Sequence, residues 1–265
     1  MIDKFRFHIV GSGPRTGTTL LHEVMKTCFE FDFASEHEDS INKSNRQIGT
    51  EYARILTKQP SELYGIQYPL RFDKNLYVIC IIRDPRDMIS SFHGRYPDEY
   101  WASLRYWKIF LSTFKKMKKH KRILYVKYED FTKKPDETQS LIQDKFPFLI
   151  KRYKFSDYHL HAKPSENSKK ALKDFRPIQP NGIGNWKNNL HRIKHQMELH
   201  GDISKSLIDL QYEENDTWKN QLPEDNKEFK TKTDEFFTSK ELSFRKQKMI
   251  KAAVKILLDK LNISY

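Results

Sequence analysis

The stretch FRFHIVGSGPRTGTTLLHEVM, residues 5–25, constrains this chain more than any other. Residues 5–10 are mostly apolar and stop at a glycine cluster, which reads as a buried strand. After Gly17, the side chains of Leu20, Leu21, Val24, Met25 and Cys28 fall on one helical stripe, so the segment is strand, tight loop, helix. Gly11, Gly13 and Gly17 permit backbone conformations in which amide N–H groups converge on an oxyanion. Thr18 and Thr19 open a helix whose free N–H groups favour phosphate. Thr16 adds a hydroxyl, and Arg15 adds a planar fork of donors. A nucleotide triphosphatase loop would carry lysine where Thr18 stands and glycine where Ser12 stands, and a dinucleotide fingerprint spaces its last glycines differently. The residues alone leave two readings open: a phosphate loop of unusual type, or a structural turn at the start of a helix.

The next strand reads LYVICIIR, residues 76–83, apolar without alternation, as burial on both faces of a parallel sheet requires. It runs into DPRD, where Asp84 can cap and Pro85 can begin a helix that MISSF continues. Residues 100–119 carry Trp101, Leu104, Trp107, Phe110, Leu111, Phe114 and Met117 at helical spacing and end in lysines. A strand is expected over 122–131 and a helix over 135–146. Strands separated by helices predict an α/β fold, three-layer α/β/α with a mostly parallel central sheet. Ligands of such sheets sit beyond the carboxyl ends of the strands, where residues 11–19 and 83–91 both lie. Residues 157–189 and 209–239 read as polar excursions, and residues 244–263 as a closing basic amphipathic helix docked by its apolar stripe. A single domain over 1–265, with 209–265 as a polar and helical extension, is the expectation.

Composition narrows the partners. Against 35 Asp plus Glu stand 48 Lys plus Arg, a formal charge of +13 that favours anionic ligands or surfaces without choosing among them. Neither an RNA-type aromatic motif nor a zinc-finger spacing accompanies that charge, so nucleic acid is not an expected partner. Cys28 and Cys80 each sit in apolar runs, which excludes a disulfide framework and favours a reducing, cytoplasmic setting. No apolar stretch reaches the roughly 20 residues that span a bilayer, so no transmembrane segment is expected. His191 and His195 share a helical face, but no third ligand can be named, and no metal site is expected.

GSGPRTGTTLL resembles the loop of the sulfotransferases that use 3′-phosphoadenosine 5′-phosphosulfate (PAPS), whose pattern is close to PRSGTT or PKSGTT. IIRDPRDMISSFH is similar to the family signature in which an arginine and a serine eight residues later bind the donor's 3′-phosphate, here Arg83 and Ser91. LYVKYEDF resembles the family's YED strand, which implies an adenosine contact from Tyr128. GIGNWKNNL resembles the GxWK part of the loop that closes over the nucleotide, with Trp186 and Lys187 as the candidates. The basic residues and glycine of the full motif are replaced by Gln179, Pro180 and Asn181, for which Arg176 is a substitute cation. Arg86 is a third basic candidate, or equally an arginine paired with a carboxylate.

The resemblance covers residues 10–190 and implies the P-loop NTPase-like sulfotransferase fold. It also implies PAPS as sulfuryl donor, 3′,5′-adenosine bisphosphate (PAP) as product, and no metal requirement. The implied donor site is Gly13, Pro14, Arg15, Thr16, Gly17, Thr18 and Thr19 from the loop, with Arg83, Ser91, Tyr128, Trp186 and Lys187.

Sulfuryl transfer to a hydroxyl needs a base for the acceptor's proton. Cytosolic members of the family use a histidine in a KTHLP-like segment, and in GIQYPLR its place is taken by Gln67, which cannot act as a base. Glu36 lies 21 residues after Arg15 and is similar in position to the catalytic glutamate of tyrosylprotein and several bacterial carbohydrate sulfotransferases. Partial burial would raise its pKa toward a useful value. His22, Glu23, His37, Glu38 and His93 are the alternatives. The expected reaction is transfer of a sulfuryl group to a carbohydrate or small metabolite, with Glu36 and Arg15 as the catalytic residues. Acceptor contacts are expected from residues 42–72, 96–107 and 157–181. The rivals are a kinase-like phosphotransferase and a non-enzymatic binder of anionic polymer or nucleic acid.

Overall fold

The computed structural model describes residues 4–36, 38–41, 43, 48–49, 51–92, 99–172, 176–232 and 239–261. Among these residues the strands are β1 (Phe5–Gly11), β2 (Phe33–Ala34), β3 (Arg54–Lys58), β4 (Leu76–Ile82) and β5 (Ile123–Lys127). They lie in the order β2-β3-β1-β4-β5 and every pairing is parallel. The helices are α1 (Thr18–Cys28), α2 (Gln67–Phe72), α3 (Pro85–Ile89), α4 (Leu104–Met117), α5 (Tyr128–Lys133) and α6 (Pro135–Lys145). After them come α7 (Tyr158–His161), α8 (Glu166–Leu172), α9 (Leu190–His200), α10 (Ser204–Asp209) and α11 (Ser239–Lys260).

The period-two geometry of the strands divides the interior into two cores, one on each face of the sheet. Phe5, Phe7 and Ile9 of β1 join Ile79 and Ile81 of β4, and pack on Leu21, Val24 and Met25 of α1 and on Ile142 of α6. Val10, with Val78, Cys80 and Ile82, faces Trp107 and Phe110 of α4, Ile193 of α9 and Leu207 of α10. This is the expected three-layer α/β/α architecture. Met249, Ala253 and Ile256 of α11 are buried, and Met249 belongs to the second of these cores, so the closing helix docks by an apolar stripe. Among the described residues no helix is long and apolar enough to cross a membrane.

Two polar side chains in the centre of the sheet, Arg6 and His8, are satisfied locally. Arg6 of β1, 2% exposed, donates to the carbonyls of Ser40, Ile41 and Lys43, and burial lowers its pKa to about 10. His8 meets the Thr57 hydroxyl at 2.8 Å and the Glu62 carboxylate at 3.2 Å. These bonds are what let FRFHIVG be buried along its whole length.

Four local expectations are corrected. The strand expected over 122–131 ends at Lys127, because YED begins α5, with Glu129 and Asp130 acidic in its first turn. The helix after DPRD does not continue through MISSF; it stops at Ile89, and Ser91 lies beyond its end. β3 was not expected at all, its RILTK carrying two cations and a threonine where an apolar run would signal a strand. The polar excursion over 157–189 contains α7 and α8, and the Ser168 hydroxyl ties it to buried Glu23 of α1 at 2.7 Å.

Candidate functional site

The carboxyl ends of β1, β3 and β4 are brought together by the parallel register. The amide of Gly11 donates to Pro60 O at 3.0 Å, just past β3, and the amide of Ser12 donates to Ile81 O at 2.9 Å in β4. The glycine-rich loop therefore stands at the centre of the sheet, where the chain turns to opposite sides of β1. Inside it, the Thr16 hydroxyl closes the turn on Gly13 O at 2.9 Å. Gly17, the residue before α1, has φ 91°, and a Cβ there would stand 2.6 Å from Tyr128 Cδ2. Only glycine fits that position. No side chain caps α1, and its first-turn N–H groups carry no acidic neighbour.

Arg15 departs from ordinary backbone geometry, with φ 65°, a left-handed conformation for a residue with a long side chain. Such strain costs roughly 1–3 kcal/mol and persists where surroundings enforce it. The enforcing contacts are visible: its Nε donates to Ser91 Oγ at 3.0 Å, and its carbonyl accepts from Arg83 Nη1 at 2.7 Å. Arg83 leaves the end of β4, donates its other terminal nitrogen to Gly182 O at 2.5 Å, and stacks on Tyr128 with 4.7 Å from guanidinium carbon to ring centre. Six residues or segments singled out in the sequence thus meet here: Arg15, Gly17, Arg83, Ser91, Tyr128 and the start of the GIGNWK stretch.

Positive charge gathers at this meeting point, where Asp87 and Glu129 are the carboxylates that feel Arg83. Burial first, and then the neighbouring Arg83, lower the pKa of Arg15. Among the described residues neither arginine makes an ion pair, and Arg83 Nε is buried without a hydrogen-bond partner. Two guanidinium groups held beside an uncapped helix start are a place for an anion.

The remaining candidates fall outside this meeting point. Trp186 is 4% exposed, its ring 3.9 Å from the Arg86 guanidinium, so the indole is occupied inside the protein; Lys187 is exposed. Arg176 is exposed and contributes its carbonyl to Tyr158 Oη. Arg86 takes the carboxylate-paired alternative, with Asp84 at 2.7 Å and Glu213 at 2.6 Å. Glu36 follows the carboxyl end of β2 and is exposed, its carbonyl accepting from the Ser165 hydroxyl at 3.1 Å, so the partial burial expected of it is absent. Glu38 is also exposed, while His22 and Glu23 are buried against each other, His22 Nε2 lying 3.4 Å from the Ser35 hydroxyl. His37 and His93 lie outside the described residues. Gln67 begins α2; the chain leaving the strand beside β1 is Gln59 and Pro60.

Lys58 was missed. It ends β3, is 3% exposed, and burial lowers its pKa against the attraction of Glu38 and Glu23. Its sequence signal, a lysine closing the run RILTK before Gln59 and Pro60, is legible only once β3 is known to lie beside β1.

No protein-family model matches the chain, and no curated protein does. Solved structures share a broad likeness. The sulfotransferase domain of the curacin biosynthetic pathway is 13% identical, with a TM-score of 0.45, over 69% of this chain and 90% of that one. The sulfotransferase domain of the Synechococcus olefin synthase is 14% identical, with a TM-score of 0.46, over 71% and 89%. A mouse sulfotransferase complexed with PAP is 14% identical, with a TM-score of 0.47, over 78% and 89%.

Proposed function

We propose that this chain is a PAPS-dependent sulfotransferase that moves a sulfuryl group to a hydroxyl of a carbohydrate or small metabolite. The observation that carries the reading is the pairing of Arg15 with Arg83, without an ion pair to either among the described residues, at a glycine-rich helix start that lacks the triphosphatase lysine. A nucleotide with phosphate at both ends of its ribose suits two separate cations better than one lysine and a magnesium ion.

In this reading the loop over residues 13–19 holds the 5′-phosphosulfate end through amides, hydroxyls and Arg15. Arg83 and Ser91 hold the 3′-phosphate, and Tyr128 borders the adenosine. The acceptor oxygen attacks sulfur in line with the bridging oxygen of the phosphosulfate. The bond from sulfur to that bridging oxygen breaks, and its electron pair leaves on PAP, whose developing charge faces Arg15. The acceptor's proton passes to the Glu36 carboxylate. Trp186 and Lys187 belong to the covering loop, the lysine facing solvent. The reaction needs no metal, and the setting is cytoplasmic.

Calorimetric titration with PAP tests the donor site: micromolar binding without magnesium is expected. A folded protein that does not bind PAP, or that binds magnesium–ATP more tightly, rejects the reading.

A further inference from the structure

Arg86 is the most enclosed cation near the site, 2% exposed, and it is gripped from four directions. Its guanidinium carbon lies 3.9 Å from the ring centre of Trp186 and 4.8 Å from that of Trp218, the two indoles standing 5.9 Å apart at 87°. Asp84 takes Nε and Nη2 at 3.0 and 2.7 Å, and Glu213 takes Nη1 at 2.6 Å. Next to it, Asp87 accepts from the amides of Gly184 at 2.8 Å and Trp186 at 2.9 Å. The covering loop over 182–187 is thereby fixed at Gly182 by Arg83, at Gly184 and Trp186 by Asp87, and on its indole face by Arg86.

Two of these partners come from the polar excursion after α10. Trp218, 3% exposed, lies in the short 3-10 helix Thr217–Gln221, and Lys219 braces that turn by pairing with Asp202 and Asp216, each at 3.1 Å. Trp218 reaches the loop both directly, at the Trp186 ring, and through Arg86, while Glu213 reaches it through Arg86.

We infer that Trp218 and Glu213 are positioning residues for the covering loop, acting through Arg86 and Trp186 to hold Gly182 over Arg83 and Tyr128. This rests on the reading of the site as a PAP-binding one. Stacking against a cation depends on a π face as well as on apolar volume, which gives the inference a signature that simple packing lacks.

The test uses the full chain, with trypsin cleavage after exposed Lys187 as the reporter of loop position and PAP titration as the reporter of the site. Trp218→Leu is expected to speed that cleavage about tenfold and weaken PAP binding about fivefold, as loss of one desolvated cation–π contact implies. Trp218→Phe, which keeps a ring, is expected to restore both. Should Trp218→Leu fail to fold by circular dichroism, Glu213→Gln, at a partly exposed carboxylate, is expected to shift both readouts in the same direction. Unchanged cleavage and affinity in folded variants overturns the inference, and so does a phenylalanine variant no better than leucine. If the wild type does not bind PAP, the donor reading fails, and protection after Lys187 still decides whether the loop is held from residues 213–218.

Discussion

Arg15 Nε donates to Ser91 Oγ at 3.0 Å, joining two phosphate-binding candidates across 76 residues of sequence. The bond explains why a serine beyond the end of α3 faces the loop at all. It also means that Ser91 orients the Arg15 guanidinium.

Ser91→Ala is therefore expected to weaken PAP binding by about 1–2 kcal/mol, roughly fivefold to thirtyfold, through a misplaced Arg15 as well as a lost hydroxyl. Arg83→Lys should cost at least as much, because an ammonium cannot span Arg15 O and Gly182 O while stacking on Tyr128. Titration calorimetry reads both. Wild-type affinity in Arg83→Lys would remove this arginine from the site.

Gly17→Ala should be far worse than its single methyl suggests. The backbone is left-handed there, and the new Cβ would meet the Tyr128 ring. A loss of about 1–3 kcal/mol in stability is expected from urea unfolding. Adding Tyr128→Ala should return part of that loss by removing the collision; a double variant no better than the single one would assign the whole cost to φ.

Glu36→Gln is expected to leave PAP affinity unchanged and to cut turnover at least about tenfold, the ordinary scale for loss of a general base. Undiminished turnover moves the role to another group near the ends of β2 and β3, with Lys58, Glu38 and His22 the next to substitute.

Acid should weaken the fold before the carboxylates titrate. Burial holds the pKa of both His8 and His22 below the ordinary 6.5, against the opposing pull of Glu62 on the first and Glu23 on the second. As pH falls through 6.5 the unfolded chain takes up these protons while the native one does not, so stability drops from there downward. Around His8 the other groups are Thr57, Arg6 and Asp39; around His22 they are Ser35, Lys58 and Lys26. A lower urea midpoint at pH 5.5 than at pH 7.5 is expected, with the difference reduced in His8→Gln. Equal midpoints would contradict the assignment of neutral buried histidines.

Both thiols should be silent in the native protein. Burial pushes Cys28 up to about 12 and Cys80 higher, and both side chains are fully enclosed. A disulfide-exchange reagent at pH 8 is expected to titrate neither until denaturant is added; rapid labelling of one would show that its segment opens.

What could be read in the sequence was local. The glycine loop, the apolar run LYVICII and the Asp-Pro helix start each carry their signal within a dozen residues, and the structure reproduces each at nearly the expected position. β3 could not be read, because Arg54 and Lys58 are held by tertiary surroundings that no window of RILTK contains: the first by Glu30 and Asp32, the second by burial near Glu23. The fate of Arg86 was open for the same reason, its deciding partners lying more than 100 residues downstream at Glu213 and Trp218. Ser91 was chosen for the right neighbourhood but with the wrong local geometry, since a hydrogen bond to Arg15, and not helical phase, aims it.

The strand order has a consequence for how the chain comes into being. β1 precedes both of its neighbours in sequence and lies in the middle of the sheet, flanked by β3 on one side and β4 on the other. While a ribosome is still making residues 54–82, FRFHIVG has two open hydrogen-bonding edges and neither of its native partners. The nascent protein is expected to need a holdase on that heptapeptide, and slower decoding of residues 12–53 should lower the soluble yield without altering a single native contact.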